Sequence, residues 1–421
     1  MTQHSDCAPT PGQSSRSVAE HLAIVLNSVT ALEPQLCPLD AAGGLVLAED
    51  IRTLTATPPF DNSAMDGYAV HSADLSGATE AAPVTLTVVA DLPAGTADNP
   101  PITSGQTARI MTGAPMPDEV DAVVPIEHTD QGTVSVQVFR APLPGAHIRR
   151  AGGDAAAGDV VLTAGSVLWP ARIAAAASAG AASVLVHPAP RVAVISTGSE
   201  LVAPGQPLRR GQIPDSNSFL LSAAASEAGA IVTRIGAVPD DPDTLRTLLA
   251  QIAPTVDAIV LSGGVSVGAY DVVKAVLAPL DTMFFGPIRM QPGKPQGFGH
   301  LPDGTVVFAL PGNPVSAYVS FEAFVRPALR MMAGHHAAHR RTVTAIADDA
   351  WTCPSGRTQY MPVEIKGEPG RERVRRATAG GAGSHLVAGL GRATGLAIIG
   401  EKVDRVAEGD LVTVMAIVDL P

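Results

Sequence analysis

Four glycine-bearing segments carry most of the chemistry this sequence can perform. They are Ser196-Thr197-Gly198-Ser199-Glu200, Ser262-Gly263-Gly264-Val265-Ser266-Val267-Gly268, Pro292-Gly293-Lys294-Pro295 and Leu310-Pro311-Gly312-Asn313-Pro314-Val315-Ser316. Glycine lets a backbone approach a phosphate or oxyanion closely, and N–H groups at helix starts donate to it. Lys294 adds a point charge. One such segment alone is no more than a turn from strand to helix; four gathered at one sheet edge make an anion site. Five carboxylates accompany the loops: Glu200, Asp215, Asp240, Asp241 and Asp271. A divalent cation bridging phosphates needs only one or two of these plus waters. The same acids also suit helix caps, Asp215 before Ser216-Asn217 and Asp240-Asp241 before Pro242; for Asp240 the cap alone is favoured.

A second run, Pro58-Pro59-Phe60-Asp61-Asn62-Ser63-Ala64-Met65-Asp66-Gly67-Tyr68-Ala69-Val70, packs two acids, an amide and a hydroxyl between an apolar anchor, Phe60, and a strand-like end. Asp61 can act there as a general base or orient a leaving group, and Asp66-Gly67 can equally be a hairpin turn. Ile110-Met111-Thr112-Gly113-Ala114 ends an apolar run with a hydroxyl, as a turn does. Arg149-Arg150-Ala151-Gly152-Gly153-Asp154 is either a phosphate clasp or a solvated basic turn. Gly356-Arg357 and Gly383-Ser384-His385 offer a guanidinium and a hydroxyl suited to a tetrahedral oxyanion. His385 and the His335-His336 pair lack ligand spacing and are expected to be exposed.

The elements that position these residues follow from periodicity. Between about 191 and 334, apolar runs and helical patterns alternate: strands at 192–196, Ile231–Val238, Ala258–Ser262 and 305–310, and helices at 216–229, Pro242–Ile252, from 271 to 277, and 315–332. This predicts a three-layer α/β domain with a mostly parallel sheet, and open α/β sheets place ligands at strand C-termini. Val18–Asn27 reads as a helix capped by Ser17. Short β-rich runs divided by Pro and Gly fill 51–138, and further runs alternate with Gly- and charge-rich turns after 341. The expected organisation is a mobile tail at 1–17, a linker domain from 18–50 and 147–187, an inserted small β domain at 51–146, the α/β domain at 188–334, and a C-terminal β-barrel at 340–421.

Composition sets limits on this reading. With 421 residues, two to four domains are expected. Aromatics are only 4%, so Ala, Val, Leu and Ile must build the cores, and 41 Gly with 36 Pro exclude a helical bundle. A formal charge of −12 argues against a general nucleic-acid binder. Cys7, Cys37 and Cys353 have no paired spacing and read as reduced thiols of a cytoplasmic protein. The most apolar stretch, 173–186, is too short to cross a bilayer, so no membrane partner is expected.

Taken together, the runs at 60–69, Met111-Thr112-Gly113-Ala114, 196–201, 262–268, 292–295 and 310–316 resemble those of the molybdopterin molybdotransferases, the MoeA type related to the E domain of gephyrin. The resemblance runs in the family's order from about Val18 to the C-terminus. It implies an elongated homodimer with each active site shared between two chains. It also implies a magnesium-dependent reaction of adenylylated molybdopterin with molybdate, giving molybdenum cofactor and AMP. Carried over residue by residue, Asp61, Thr112 and Asp154 match catalytic positions, and Glu200, Asp241 and Asp271 match carboxylates tied to magnesium and nucleotide. Lys294, Ser316, Arg357 and Ser384 match positions that hold molybdate, with Pro311 and Pro314 shaping the loop. Ser196, Thr197, Gly198, Gly263, Gly264 and Ser266 belong to the substrate-binding strand ends. The family often carries a second lysine three residues before the Lys294 position; here Gln291 stands there, a donor without charge. Two other readings remain: a non-catalytic pterin-binding or scaffolding paralogue, and a nucleotide hydrolase sharing only the α/β domain.

Overall fold

The computed structural model describes residues 15–265, 271–378, 380–381 and 383–418. The expected tail falls largely on 1–14 and Ser266 within 266–270; both lie outside the described residues. The chain divides into two units, residues 36–186 and a second made of the N-terminal segment to Gln35 with 187–421.

In the second unit the strands β1 (Arg191–Thr197), β2 (Ile231–Val238), β3 (Ala258–Ser262), β4 (Met283–Pro287), β5 (Pro295–His300) and β6 (Val306–Leu310) form one sheet in the order β2-β1-β3-β6-β5-β4. The first four in that order are parallel; β5 runs antiparallel to them, and β4, antiparallel to β5, returns to their direction. Side chains alternate between two faces, and the core divides accordingly. Val192, Val194, Val260 and Phe308 pack beneath α1 (Val18–Asn27), α2 (Asn217–Glu227) and the helices after β6. Ala193, Ile195, Ile259, Leu261 and Val307 pack beneath α3 (Pro242–Ile252) and α4 (Val272–Leu277). Three layers result, as strands apolar on both faces require.

The helix expected over 315–332 is three pieces: α5 (Pro314–Ser320), a π-helical turn Phe321–Val325, and α6 (Arg326–Met332). Pro327 has no N–H to return to the preceding turn, and the widened turn accommodates that loss. The fully buried Glu322 lies in this turn and receives Arg340 at 2.6 Å.

Helix α1 departs from the expected organisation. Its cap is as read, with Ser17 and Glu20 forming a reciprocal capping box. Yet Val25 and Val29 share the core of the α/β domain, so the helix does not belong with the linker domain assigned to 18–50. Arg16 is docked as well, since its guanidinium sits 3.5 Å over the Phe284 ring and its N–H donates to Pro287 O, so the tail does not reach Ser17.

After Arg341, β7 (Thr342–Ala347), β8 (Thr358–Lys366), β9 (Arg373–Arg376), β10 (Gly395–Ile399) and β11 (Leu411–Ala416) pair as β8-β9-β7-β11-β10. Strand β10 pairs again with β8, which closes a five-stranded barrel. Ala345, Met361, Val363, Val374, Ala397 and Val414 fill it.

The unit over 36–186 holds a five-stranded sheet in the order Ala122–Pro125, Gly67–Val70, Gln106–Ile110, Val84–Leu92, Ser135–Val138. A separate core of Ala42, Leu47, Ile51, Leu168, Ala176 and Val184 lies around the helix Pro170–Ser178. No helix among the described residues is long and apolar enough to cross a membrane.

Candidate functional site

Strand order decides which loops meet. The C-terminal ends of β2, β1, β3 and β6 share one sheet edge. Because β5 is antiparallel to β6, the residues leading into β5 fall at that same edge. There a cavity of about 1200 Å³ is lined by Thr197, Gly198, Glu200, Gly263, Gly264, Asp271, Lys294, Pro311, Pro314, Ser316, Arg357 and Ser384 among others. All of these were candidates from the sequence, and all belong to one unit.

The acids come from one half of the edge. Asp240 accepts from the Ser199 N–H at 2.9 Å while its own N–H donates to Ser199 Oγ at 3.1 Å, which joins the β1 and β2 loops. Glu200 follows, and its carboxylate lies so close to Gly198 that a Cβ there would fall 2.6 Å from Oε2. Asp271 caps α4, accepting from Lys274 N–H at 3.3 Å. Gly263 (φ +100°) and Gly264 (φ +66°) turn the chain between β3 and these groups.

The cationic and hydroxylic residues come from the other half. Lys294 lines the cavity, and among the described residues its ammonium has no hydrogen-bond or ion-pair partner. Met290–Gln291 pairs with the start of β8, and Arg289 C=O accepts from Thr358 N–H, which brings Arg357 beside the lysine loop. Ser384 accepts Val315 N–H at its carbonyl (3.1 Å) and the Asn313 amide at its hydroxyl (3.0 Å), leaving the hydroxyl hydrogen for a guest. Arg289 does not replace the charge absent at Gln291, because its guanidinium is committed to Glu401 at 3.2 Å and Ser15 O at 2.6 Å.

Three residues sit differently from what the sequence suggested. Asp241, read as a metal carboxylate, is the N-cap of α3: it accepts from Thr244 N–H (2.8 Å) and Oγ1 (2.5 Å), and it does not line the cavity. These bonds hold its carboxyl below the usual range. Asp240, favoured as a cap alone, is the neighbour that faces the cavity. Ser196, expected among the binding residues, is buried below its rim and does not line it.

Sequence reasoning missed Asn217, read only as part of a cap. It is buried, and its Nδ2 donates to Ser262 Oγ at 2.7 Å and Gly312 O at 2.6 Å, tying the loops after β3 and β6 together. The cap of α2 comes from Asp215, which accepts Ser218 N–H and Oγ.

In the other unit, segment 57–63 gathers the remaining candidates. Asn62–Ser63 pairs with Ile148–Arg149, Ser63 C=O accepts from Gly113 N–H, and Thr57 C=O accepts from Asp154 N–H. Asp61 accepts the Ala151 N–H at 2.8 Å and Arg150 Nη1 at 2.5 Å. The backbone donor first and the guanidinium second hold its carboxyl below the usual carboxylate range. It is therefore a poor proton acceptor and a stable fixed charge. The basic turn around Arg150 serves this carboxylate. Thr112 donates its N–H (2.7 Å) and hydroxyl (2.8 Å) to Asp66. Asp66-Gly67 is thus no hairpin turn: Gly67 opens a strand so close to its neighbour that a Cβ would fall on Val124 O. Phe60 is exposed rather than an anchor.

The fold and cavity define a class: an α/β protein whose strand-end glycine loops line a cavity with acids on one side and Lys294 and Arg357 on the other, completed by loops of a β-barrel. Residues 16–180 match the MoeA N-terminal region (domain I and II), 193–331 a probable molybdopterin binding domain, and 344–417 the MoeA C-terminal region (domain IV). Molybdopterin molybdenumtransferase 2 of Mycobacterium tuberculosis is 44% identical over 94% of this chain and 98% of its own length. Molybdopterin molybdenumtransferase 1 of the same organism is 36% identical over 95% and 98%. The crystal structure of the molybdopterin biosynthesis MoeA protein from Pyrococcus horikosii superposes with a TM-score of 0.82 at 30% identity, covering 97% of this chain and 100% of that one. The chain belongs to the MoeA family of molybdopterin molybdenumtransferases.

Proposed function

We propose that the chain moves molybdenum from molybdate onto the dithiolene sulfurs of adenylylated molybdopterin, releasing AMP as the phosphoanhydride is cleaved. The supporting observation is the division of charge within one cavity. Glu200, Asp240 and Asp271 stand at one half of the sheet edge, and Lys294, Ser316, Arg357 and Ser384 at the other. A nucleotide-linked pterin and a tetrahedral dianion are two anionic guests of different shape, and each has a place here.

Among the described residues no three His, Cys, Asp or Glu side chains form a metal cage. The acids suit magnesium, which keeps waters and phosphate oxygens and needs one or two carboxylates. Glu200 and Asp271 would hold it with Asp240 beside them, and it would offset charge on the departing phosphate. Lys294 orients molybdate as a point charge, and the Ser384 hydroxyl donates to one of its oxygens. The active form is a cytoplasmic homodimer in which Asp61 of one protomer serves the cavity of the other, positioned by Arg150 and flanked by Thr112 and Asp154. Exposed Phe60 and Met65 beside Asp61 support such a contact.

The test is a pair of variants. Glu200→Gln should raise the magnesium concentration at half-maximal rate, and Lys294→Ala the molybdate concentration. If neither value moves, this cavity is not the site.

A further inference from the structure

Lys294 reaches the cavity from a loop, so its position is only as fixed as that loop. The loop closes on itself through Ile288 N–H to Lys294 O at 2.7 Å and Met290 N–H to Ile288 O at 2.8 Å. Those bonds shape it without joining it to the helix that carries Ser316. The Gln296 side chain makes that join. It is only 2% exposed, does not line the cavity, and its Nε2 donates to Gly293 O at 2.6 Å and to Ser320 Oγ at 2.6 Å. Ser320 lies four residues beyond Ser316 on α5, so both sit on one helix face. Gly293 has φ +105°, and a Cβ there would fall 2.9 Å from Ser320 Oγ, so the loop rests directly on the helix.

The geometry points to Gln296 as a positioning residue of the oxyanion subsite: its carboxamide sets Lys294 against Ser316 and thereby tunes affinity for the tetrahedral anion. This rests on the reading above that Lys294 and Ser316 hold molybdate. Asn217 makes a similar pair of bonds between the loops after β3 and β6, with one amide nitrogen shared between a serine hydroxyl and a loop-glycine carbonyl.

The experiment titrates the full chain calorimetrically with molybdate alone and with AMP alone, as wild type, Lys294→Ala, Gln296→Leu and Ser320→Ala. Loss of two buried hydrogen bonds in Gln296→Leu should weaken molybdate binding about tenfold. AMP binding should stay within about twofold, and the molybdate needed for half-maximal rate should rise with the saturated rate unchanged. Equal weakening of both ligands would reduce Gln296 to core packing and overturn the proposal, as would unchanged molybdate affinity in the folded variant. If Gln296→Leu does not fold, Ser320→Ala, which keeps the glutamine, should weaken molybdate about threefold, and no change there overturns it. Unchanged molybdate affinity in Lys294→Ala would instead remove the oxyanion site itself.

Discussion

Gly263 and Gly312 face each other in the cavity, and the structure predicts opposite tolerance to a methyl group. At Gly263 the backbone has φ +100°, and a Cβ would meet Thr197 O at 2.6 Å and Thr197 Oγ1 at 2.8 Å. Strained φ costs about 1–3 kcal/mol and forced overpacking about another 1–3. Relief requires the ends of β1 and β3 to part where Ser196 pairs with Ser262. Gly263→Ala should therefore lose about 2–6 kcal/mol, lower the thermal midpoint by roughly 10 °C, and weaken AMP binding. Gly312 is exposed, and its Cβ would lie 3.5 Å from Gly263 Cα, an ordinary contact. Gly312→Ala should change stability by no more than about 0.5 kcal/mol. Thermal unfolding and calorimetry on both variants give the contrast. Equal damage from the two, or an unshifted midpoint in Gly263→Ala, would refute the argument that backbone approach, and not glycine content, dictates these turns.

Asp61→Asn should leave pterin-nucleotide binding intact and slow AMP release; unchanged turnover removes Asp61 from the mechanism. Because its folded pKa is depressed, the stabilisation Asp61 contributes is full above its unfolded value near 3.8 and fades as pH falls through the lower folded value. With both partners largely solvated the effect is small, so an Asp61-dependent change in rate above pH 5 would contradict its role as a fixed charge. Glu322→Gln leaves Arg340 and Arg326 with Glu227 as their remaining acidic partner and should cost about 1–3 kcal/mol, read by urea denaturation. Gln291→Lys adds a charge to the cavity wall, where about 1 kcal/mol of attraction should lower the half-saturating molybdate concentration severalfold.

The parallel core was legible because β1, β3 and β6 are apolar on both faces, and their glycine-rich ends then fell where strand order puts ligands. Strands β4 and β5 were not. Gly286, Gly297 and Gly299 dilute their apolar pattern, and they do so because the sheet is crowded there: a Cβ on Gly297 would lie 2.6 Å from the Phe285 ring, and one on Gly299 would fall on the Thr282 carbonyl and Met283. The exchange of Asp240 and Asp241 had a readable signal. Proline at the first helical position makes the preceding residue the cap, and Pro242 is preceded by Asp241. Asn217 and Gln296 left no trace in periodicity, since each acts through loops distant in sequence that only the folded sheet edge brings together. Helix α1 was found by its cap, but its destination depended on a three-dimensional surface that no local pattern encodes.

The most direct test combines the purified protein with adenylylated molybdopterin, magnesium and molybdate, and follows free AMP and protein- or pterin-bound molybdenum in the same samples. Molybdenum transfer coupled to cleavage of the phosphoanhydride requires that both appear together in equal amounts and that both depend on Lys294. Binding of the pterin nucleotide with no AMP released on adding molybdate would contradict it and mark the chain as a pterin-binding paralogue.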